Sequence, residues 1–403
     1  MKKDSPRVAF FSCVYHEVDG VAKTSRHFQA FAERRGLPLL MVRAGPRDHV
    51  ATEGSVTHVE LRRSPLKFPL DRAHEFDLLF WRHHRKLEPL LRDFRPDLVH
   101  ITGPSDVGIL GALVAYRLGI PLAASWQTNV HEYARRRAAA ALSFLPHAAT
   151  ANLLNALESS SFRVASRFYK IPKILFAPNQ EIMQSLERAT GKPCFLMSHA
   201  VDTAVFSPEF RNRQGGPFQI GYVGRLTPEK GVRLLARLEE ALLARGHREF
   251  RMVVVGEGAE ENWLRDHMRQ AEFKGVLTGT ELSQAFANFD LLAFPSETDT
   301  FGLVVLEAFA SGVPAVVTGG GGPKYTVRHG QTGYVADNFE AFAGFTAMLM
   351  ARPDLLSAMR AAARQQALTT SWDRIFDGVY AAYENVLFPA AVASRSVFDI
   401  ATT

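Results

Sequence analysis

The sequence is most informative first in what it lacks. Its 403 residues include only two cysteines, Cys13 and Cys194, each inside an apolar run. Buried reduced thiols fit that placement better than a disulfide framework or a metal site, and a cytoplasmic location is the default expectation. No stretch approaches the roughly 18 uninterrupted apolar residues of a membrane-spanning helix. No GxxxxGK[ST] occurs, so a Walker-type phosphate loop is absent. Aromatic residues are not interleaved with basic ones in any repeated pattern, which argues against nucleic acid as a partner. The start, MKKDSPRVAFFSCVY, carries two lysines and a short apolar run but no small-residue cleavage pattern; it reads as a first strand.

What is present describes an ordinary globular chain. Hydrophobic residues make up 47% and charged residues 22%, and the length suits two domains. The net charge of +6 is unevenly placed: 28 basic residues stand against 18 acidic ones up to Ala200, and 19 against 23 beyond it. A basic first half is compatible with an anionic membrane surface, with nucleic acid, or with nothing more than a solvated basic face. Arg135, Arg136 and Arg137 lead into an Ala/Leu-rich segment interrupted by Pro146. That segment reads either as a surface lying on an anionic bilayer or as a core helix with a solvated first turn.

Short apolar strands alternate with amphipathic helices. Strands are expected at 7–15, 38–44, 57–61, 97–102, 121–126, 173–178 and 194–199, with helices at 20–35 and 106–118 among them. This predicts an α/β chain of doubly wound parallel sheets, whose ligands bind at the C-terminal ends of strands. The texture changes at SPEFRNRQGGP, so we expect a first domain over 1–207, a linker at 208–217 and a second domain over 218–370. A final helix at 371–388 and a tail at 389–403 follow.

Strand-end loops then nominate residues. Gly20 ends the loop after the first strand, where it either admits a phosphate or closes a plain capping turn. Gln127 and His131 follow the 121–126 strand. Arg225 and Lys230 flank the loop after strand 218–223, where two cations beside a helix N-terminus could neutralise a pyrophosphate; Pro228 is expected in that helix's first turn. Gly256-Glu257-Gly258 follows strand 251–255, but Glu261 stands where a dinucleotide fingerprint needs glycine. Gly319 to Gly322 form a loop that either passes close to a ligand or is mobile.

The stretch from Phe294 to Pro314, FPSETDTFGLVVLEAFASGVP, carries the most chemistry. An apolar strand, a polar loop and an apolar helix at 301–311 follow one another. Glu307 breaks the helix's apolar pattern, and a carboxylate there needs a partner. Asp299 stands at the helix mouth, beside free first-turn N–H groups. Donors for a phosphate and two acceptors for hydroxyls suit a sugar joined to a nucleotide diphosphate.

This stretch, Asp299-Thr300-Phe301-Gly302 through Glu307, resembles the signature of retaining GT-B-fold glycosyltransferases of family 4, in which two acidic residues flank seven others around a Phe-Gly pair. The resemblance is strong from about Phe218 to Ala336. Its TDTFG form is nearest to lipid and mannosyl transferases. It implies two Rossmann-like domains, the final helix packing back on the first, and transfer with retention from a UDP- or GDP-sugar, without metal or other cofactor. It implies that Arg225 and Lys230 hold the diphosphate, Gly20 closes over it, and Glu307 accepts from the ribose diol. Asp299 would accept from sugar hydroxyls, with Gly302, Leu303 and Val304 offering N–H groups, and with Gly256 and Leu277 beside the nucleoside.

Two departures stand out. Asp replaces Glu at 299, shortening the reach by about 1.5 Å. Gln127 stands where relatives carry histidine; either a hydrogen bond suffices there, or His131 takes the place, or the donor differs. The expected acceptor is a lipid or glycan, and the expected location is cytoplasmic, peripheral on the inner membrane face. A sugar-nucleotide epimerase or phosphorylase of the same plan, or an inactive nucleotide-sugar-binding scaffold, is the alternative.

Overall fold

The computed structural model describes residues 5–16, 20–69, 75–127 and 165–388. They form two compact units. The first takes the described residues up to 127, then 165–198 and 372–388; the second takes 199–371.

In the first unit, strands run β1 (Val8–Ser12), β2 (Leu39–Gly45), β3 (His49–Glu53), β4 (Val56–Arg62), β5 (Lys67–Pro69), β6 (Glu75–Asp77), β7 (Leu98–Ile101), β8 (Leu122–Ser125), β9 (Ile174–Ala177) and β10 (Cys194–Leu196). Eight of them form one sheet, in the order β10-β9-β8-β7-β1-β2-β4-β3. Every pair is parallel except β3 with β4. β1, β7, β8 and β9 are buried along their whole length, which is why the sequence shows them as continuous apolar runs. β3 was not expected. It is an exposed antiparallel edge whose residues give no apolar signal beyond Val50.

The helix Trp372–Leu387 belongs to this unit. Its Phe376 and Tyr380 rings pack on Phe28, at 5.1 and 5.8 Å, and Phe28 stacks on Phe10 of β1 at 4.6 Å. Each fully buried aromatic of this kind contributes about 1.5–3 kcal/mol.

The second unit holds β11 (Phe218–Val223), β12 (Phe250–Val255), β13 (Ala271–Gly275), β14 (Leu291–Phe294), β15 (Ala315–Thr318) and β16 (Gly333–Ala336). They form an all-parallel sheet in the order β13-β12-β11-β14-β15-β16. Numbered from β11, this is the 3-2-1-4-5-6 order of dinucleotide-binding sheets, whose winding reverses between the first and fourth strands. Here that switch point lies between β11 and β14. β13 was missed from sequence because it is a polar edge strand, half-buried throughout apart from exposed Lys274.

Residues 208–217 are fixed on this unit. Arg211 and Arg213 donate to the two oxygens of Asp290 at 2.8 and 2.7 Å, and Asp290 accepts from the N–H of Gln219, the second residue of β11. Burial would raise the Asp290 pKa; Arg213, Gln219 and Arg211 outweigh it and hold it low.

Candidate functional site

Two loops meet at the switch point of the second sheet. One, 224–231, leaves β11; the other, 295–302, leaves β14. Pro228 opens a one-turn 3-10 segment, Pro228–Lys230, and the long helix begins only at Arg233. The expectation that Pro228 sits in that helix's first turn is therefore corrected: Gly231, in the left-handed region at φ 64°, separates turn from helix. The turn presents Lys230 to the neighbouring loop. Its Nζ donates to Asp299 Oδ1 at 2.6 Å, and both side chains are largely buried. Arg225 stands 4.0 Å from Glu229 with its side chain about half exposed. Thr298 Oγ1 donates to the Glu229 carbonyl at 3.0 Å, tying the loops together from behind.

Burial would raise the Asp299 carboxyl, but the Lys230 ammonium, with Arg225 beyond it, outweighs that and holds it below the usual carboxylate range. Asp299 is thus ionised and already engaged through one oxygen. The Ser296 hydroxyl also bears on this carboxylate and helps to hold its pKa down, while the buried Thr227 hydroxyl in the neighbouring loop meets no hydrogen-bond partner. Buried polar atoms are nearly always satisfied, so the Thr227 hydroxyl leaves a hydrogen-bonding group in these loops for a polar ligand to meet.

The glycine-rich stretch after β15 supports this loop from below. The Gly322 N–H donates to the Asp299 carbonyl at 2.6 Å, and a Cβ on Gly322 would lie 2.0 Å from the Thr300 carbonyl oxygen. The stretch passes close to backbone, the backbone that carries Asp299. Gly302 then turns the chain at φ 82°, ψ 62° into the helix Leu303–Ala310, which is shorter than the expected 301–311. Leu303 and Val304 are half-buried at its mouth, and Glu307 lies one turn in, 5% exposed.

Gly256 follows β12, next to β11. A Cβ there would lie 2.0 Å from the Gly224 carbonyl oxygen, and the Leu226 N–H donates to the Glu257 carbonyl at 2.9 Å. These glycines allow two loops to touch, which accounts for a Gly-x-Gly without a dinucleotide fingerprint. Half-buried Leu277 follows β13, one strand further out.

Arg225, Lys230, Asp299, Gly302, Leu303, Val304, Glu307, Gly256 and Leu277 therefore share the C-terminal edge of one sheet. Gly20 and Gln127 lie in the other unit, after β1 and β8. His131 and the Arg135–Arg137 cluster lie outside the described residues. Sequence reasoning missed Thr227, Ser296 and Thr298, because a polar loop does not reveal which hydroxyls turn inward. It also missed His199, whose ring packs against Phe301 at 4.7 Å and whose burial pushes its pKa down to about 4. No group of three potential metal ligands occurs among the described residues.

Comparison with known proteins bears on the family and the fold. Residues 206–366 match the family model described as glycosyl transferases group 1, and residues 18–205 match that of glycosyltransferase family 4. The chain is 32% identical over 310 residues to a GDP-mannose-dependent alpha-mannosyltransferase of Mycolicibacterium smegmatis, covering 74% of this chain and 76% of that one. It is 28% identical over 329 residues to the protein of that name from Corynebacterium glutamicum, covering 79% and 74%. Among solved structures, a sucrose-phosphate synthase of Thermosynechococcus elongatus superposes with a TM-score of 0.69 at 16% identity, over 98% of this chain and all of that one. Anabaena Alr3699/HepE, in complex with UDP and glucose, superposes at 0.67 with 15% identity, over 94% and 100%. At such identities the structures speak for the fold, two parallel-sheet domains of the GT-B class.

Proposed function

The chain belongs to the family 4, group 1 glycosyltransferases and transfers a sugar from a nucleotide sugar with retention, and from that premise we propose that its donor is GDP-mannose and its acceptor a lipid or lipid-linked glycan. The donor reading is supported by the relatives named for GDP-mannose, from two genera. Their being transferases by name favours transfer over epimerisation and over loss of activity.

The observation that carries the site assignment is the Lys230–Asp299 pair across the β11/β14 switch point. In this reading the diphosphate arrives over the 224–231 loop, and Lys230 divides its three donors between the phosphate and Asp299. Arg225, half exposed at the rim, adds a second cation and stabilises the charge left on the departing nucleotide. Asp299, kept ionised, offers a carboxylate oxygen to a sugar hydroxyl. The N–H groups of Leu303 and Val304 add donors at a helix start that favours anions. Glu307 accepts from the vicinal hydroxyls of the ribose with its two oxygens. No metal is required in this account, since two cations serve the diphosphate.

We place the enzyme in the cytoplasm, peripheral to the membrane, on the strength of its basic first half. No helix among the described residues is long and apolar enough to cross a membrane.

The test is nucleotide release. Offered GDP-mannose, GDP-glucose, UDP-glucose and UDP-galactose with membrane lipid extract, the enzyme should release GDP from GDP-mannose and label a lipid, and Asp299→Asn should abolish both. Turnover of a UDP-sugar in preference would overturn the donor assignment. Labelling of a soluble glycan alone would overturn the acceptor.

A further inference from the structure

Five large apolar side chains stand exposed within residues 66–81 of the first unit: Leu66 at 62%, Phe68 at 42%, Leu78 at 61%, Leu79 at 37% and Trp81 at 50%. The two-stranded ribbon among them is inside out. In the β5–β6 pair, Lys67 opposes Asp77 and Phe68 opposes Phe76, with the two rings 5.7 Å apart. Directly opposed residues share a face and neighbours alternate. Leu66, Phe68, Phe76 and Leu78 thus take one face, and Lys67, Glu75 and Asp77 the other. An ordinary ribbon on a protein surface buries its apolar face. This one buries a carboxylate instead: Asp77 is 2% exposed, Lys67 and Glu75 beside it stay at the surface, and Leu66, Phe68 and Leu78 point to solvent with Phe76 half-buried between them.

The arrangement is held firmly. Asp77 accepts from the Ser64 N–H and hydroxyl, both at 2.6 Å, from the Leu79 N–H at 2.8 Å and from Arg82 at 2.8 Å. Its own N–H donates to Asp106, which also pairs with Arg63 at 2.9 Å. Burial would raise the Asp77 carboxyl, but these donors outweigh it and keep it far below the usual range. Arg82 reaches back to the Arg62 carbonyl at 2.7 Å, and Trp81 lies over His84. The exposed apolar side chains therefore sit on a fixed scaffold.

The surroundings are basic. Arg62, Lys67, Arg85 and Lys86 are all exposed. Lys67 and Lys86 meet Glu75 and Asp48, while Arg62 and Arg85 form no ion pair among the described residues. Apolar tips and a tryptophan, rimmed by unneutralised cations, match the chemistry of an anionic lipid surface, whose phosphates take the cations while the boundary with the acyl chains takes the rest.

We propose that this face docks on an anionic bilayer, with Leu66, Phe68, Leu78 and Trp81 entering the headgroup–acyl boundary and Arg62 and Arg85 resting on lipid phosphates. The proposal rests on the peripheral-membrane reading above and assigns the surface through which it acts.

The test is co-sedimentation of the full chain with phosphatidylcholine vesicles, with and without phosphatidylglycerol. The wild-type protein should pellet with the anionic vesicles only. Leu66→Ser with Phe68→Ser and Leu78→Ser should lower partitioning about tenfold or more, and Arg62→Ser with Arg85→Ser by about tenfold. In every variant the stabilisation by GDP should persist, which separates failure of this surface from failure of the donor site and reports folding. A second measurement needs no disruptive change: brominated lipid should quench Trp81 emission, and Trp81→Phe should remove that quenching. Wild-type protein left in the supernatant, vesicle binding unaltered by the variants, or quenching that survives Trp81→Phe would each overturn the proposal. So would a variant that changed self-association while binding vesicles as before, which would assign the face to a second copy.

Discussion

The two units are wound alike and finished differently. Each sheet starts at an interior strand and reverses direction beside it, at β1/β7 in the first unit and at β11/β14 in the second. At the first reversal the Cys13 N–H donates to Thr102 Oγ1 at 2.9 Å, and Ser12 donates to the Val14 carbonyl. Behind it His100 lies wholly buried, bonded to the Tyr383 hydroxyl and, at 2.6 Å, to Ser125 Oγ, and burial pushes its pKa down to about 3. These contacts are between neutral groups, although Asp106, which opens the helix after β7, pairs with Arg63. At the second reversal stand an ionised Asp299 and Lys230. One topology supports either finish, so the charge that would meet a nucleotide diphosphate is a property of side chains and not of the winding.

The largest expected effect comes from removing that charge. Lys230→Ala should lower kcat/KM for donor consumption roughly 10²–10³-fold, whereas Thr102→Ala at the other reversal should leave it within about a tenth of wild type. Comparable losses from both would break the contrast. The next effect tests the support beneath the charged site. In Gly322→Ala the new Cβ would overlap the Thr300 carbonyl oxygen, so the loop bearing Asp299 must move. A displacement of about an ångström costs on the order of a hundredfold in rate, with far-ultraviolet dichroism unchanged.

The neutral finish should report in stability rather than turnover. Tyr383→Phe leaves His100 Nδ1 without its partner and should cost about 1–3 kcal/mol in urea denaturation, with donor affinity unaltered. The smallest effect is a slope with pH. His100 and His199 have folded pKa values of about 3 and about 4, below the unfolded value of 6.5. For a base so depressed, the unfolded chain takes up protons first as pH falls, so stability is full above about 6.5 and declines below it. Each histidine should contribute up to about 1.4 kcal/mol per pH unit just below that point. A stability curve that stays flat from neutrality to pH 5 would contradict the burial assigned to both.

Much of the charged site could be read in the sequence, because its parts lie within two short stretches. Phe294 to Pro314 placed Asp299 and Glu307 on one loop and one helix, and the loop after β11 supplied Arg225 and Lys230. That Lys230 pairs with Asp299 could not be read, since two residues 69 positions apart are brought together by parallel pairing of β11 with β14. The central strands were legible as apolar runs buried on both faces; β3 and β13 were not, being polar edges with one neighbour each. The four glycines from Gly319 to Gly322 left two readings open, because a glycine marks a close approach without naming what approaches. The ribbon with its apolar face outward was invisible for a simpler reason: alternation gives the period of a strand but not which face is inside.

The central claim is that the Lys230–Asp299 pair in the second unit receives the donor diphosphate. Calorimetric titration of GDP into wild type, Lys230→Ala and Asp299→Asn tests it most directly. The account predicts that Lys230→Ala weakens binding by at least about tenfold, while Asp299→Asn, by freeing Lys230 from its carboxylate, binds GDP as tightly as wild type or more so and yet transfers nothing. GDP affinity unchanged by Lys230→Ala would contradict it and move the diphosphate elsewhere.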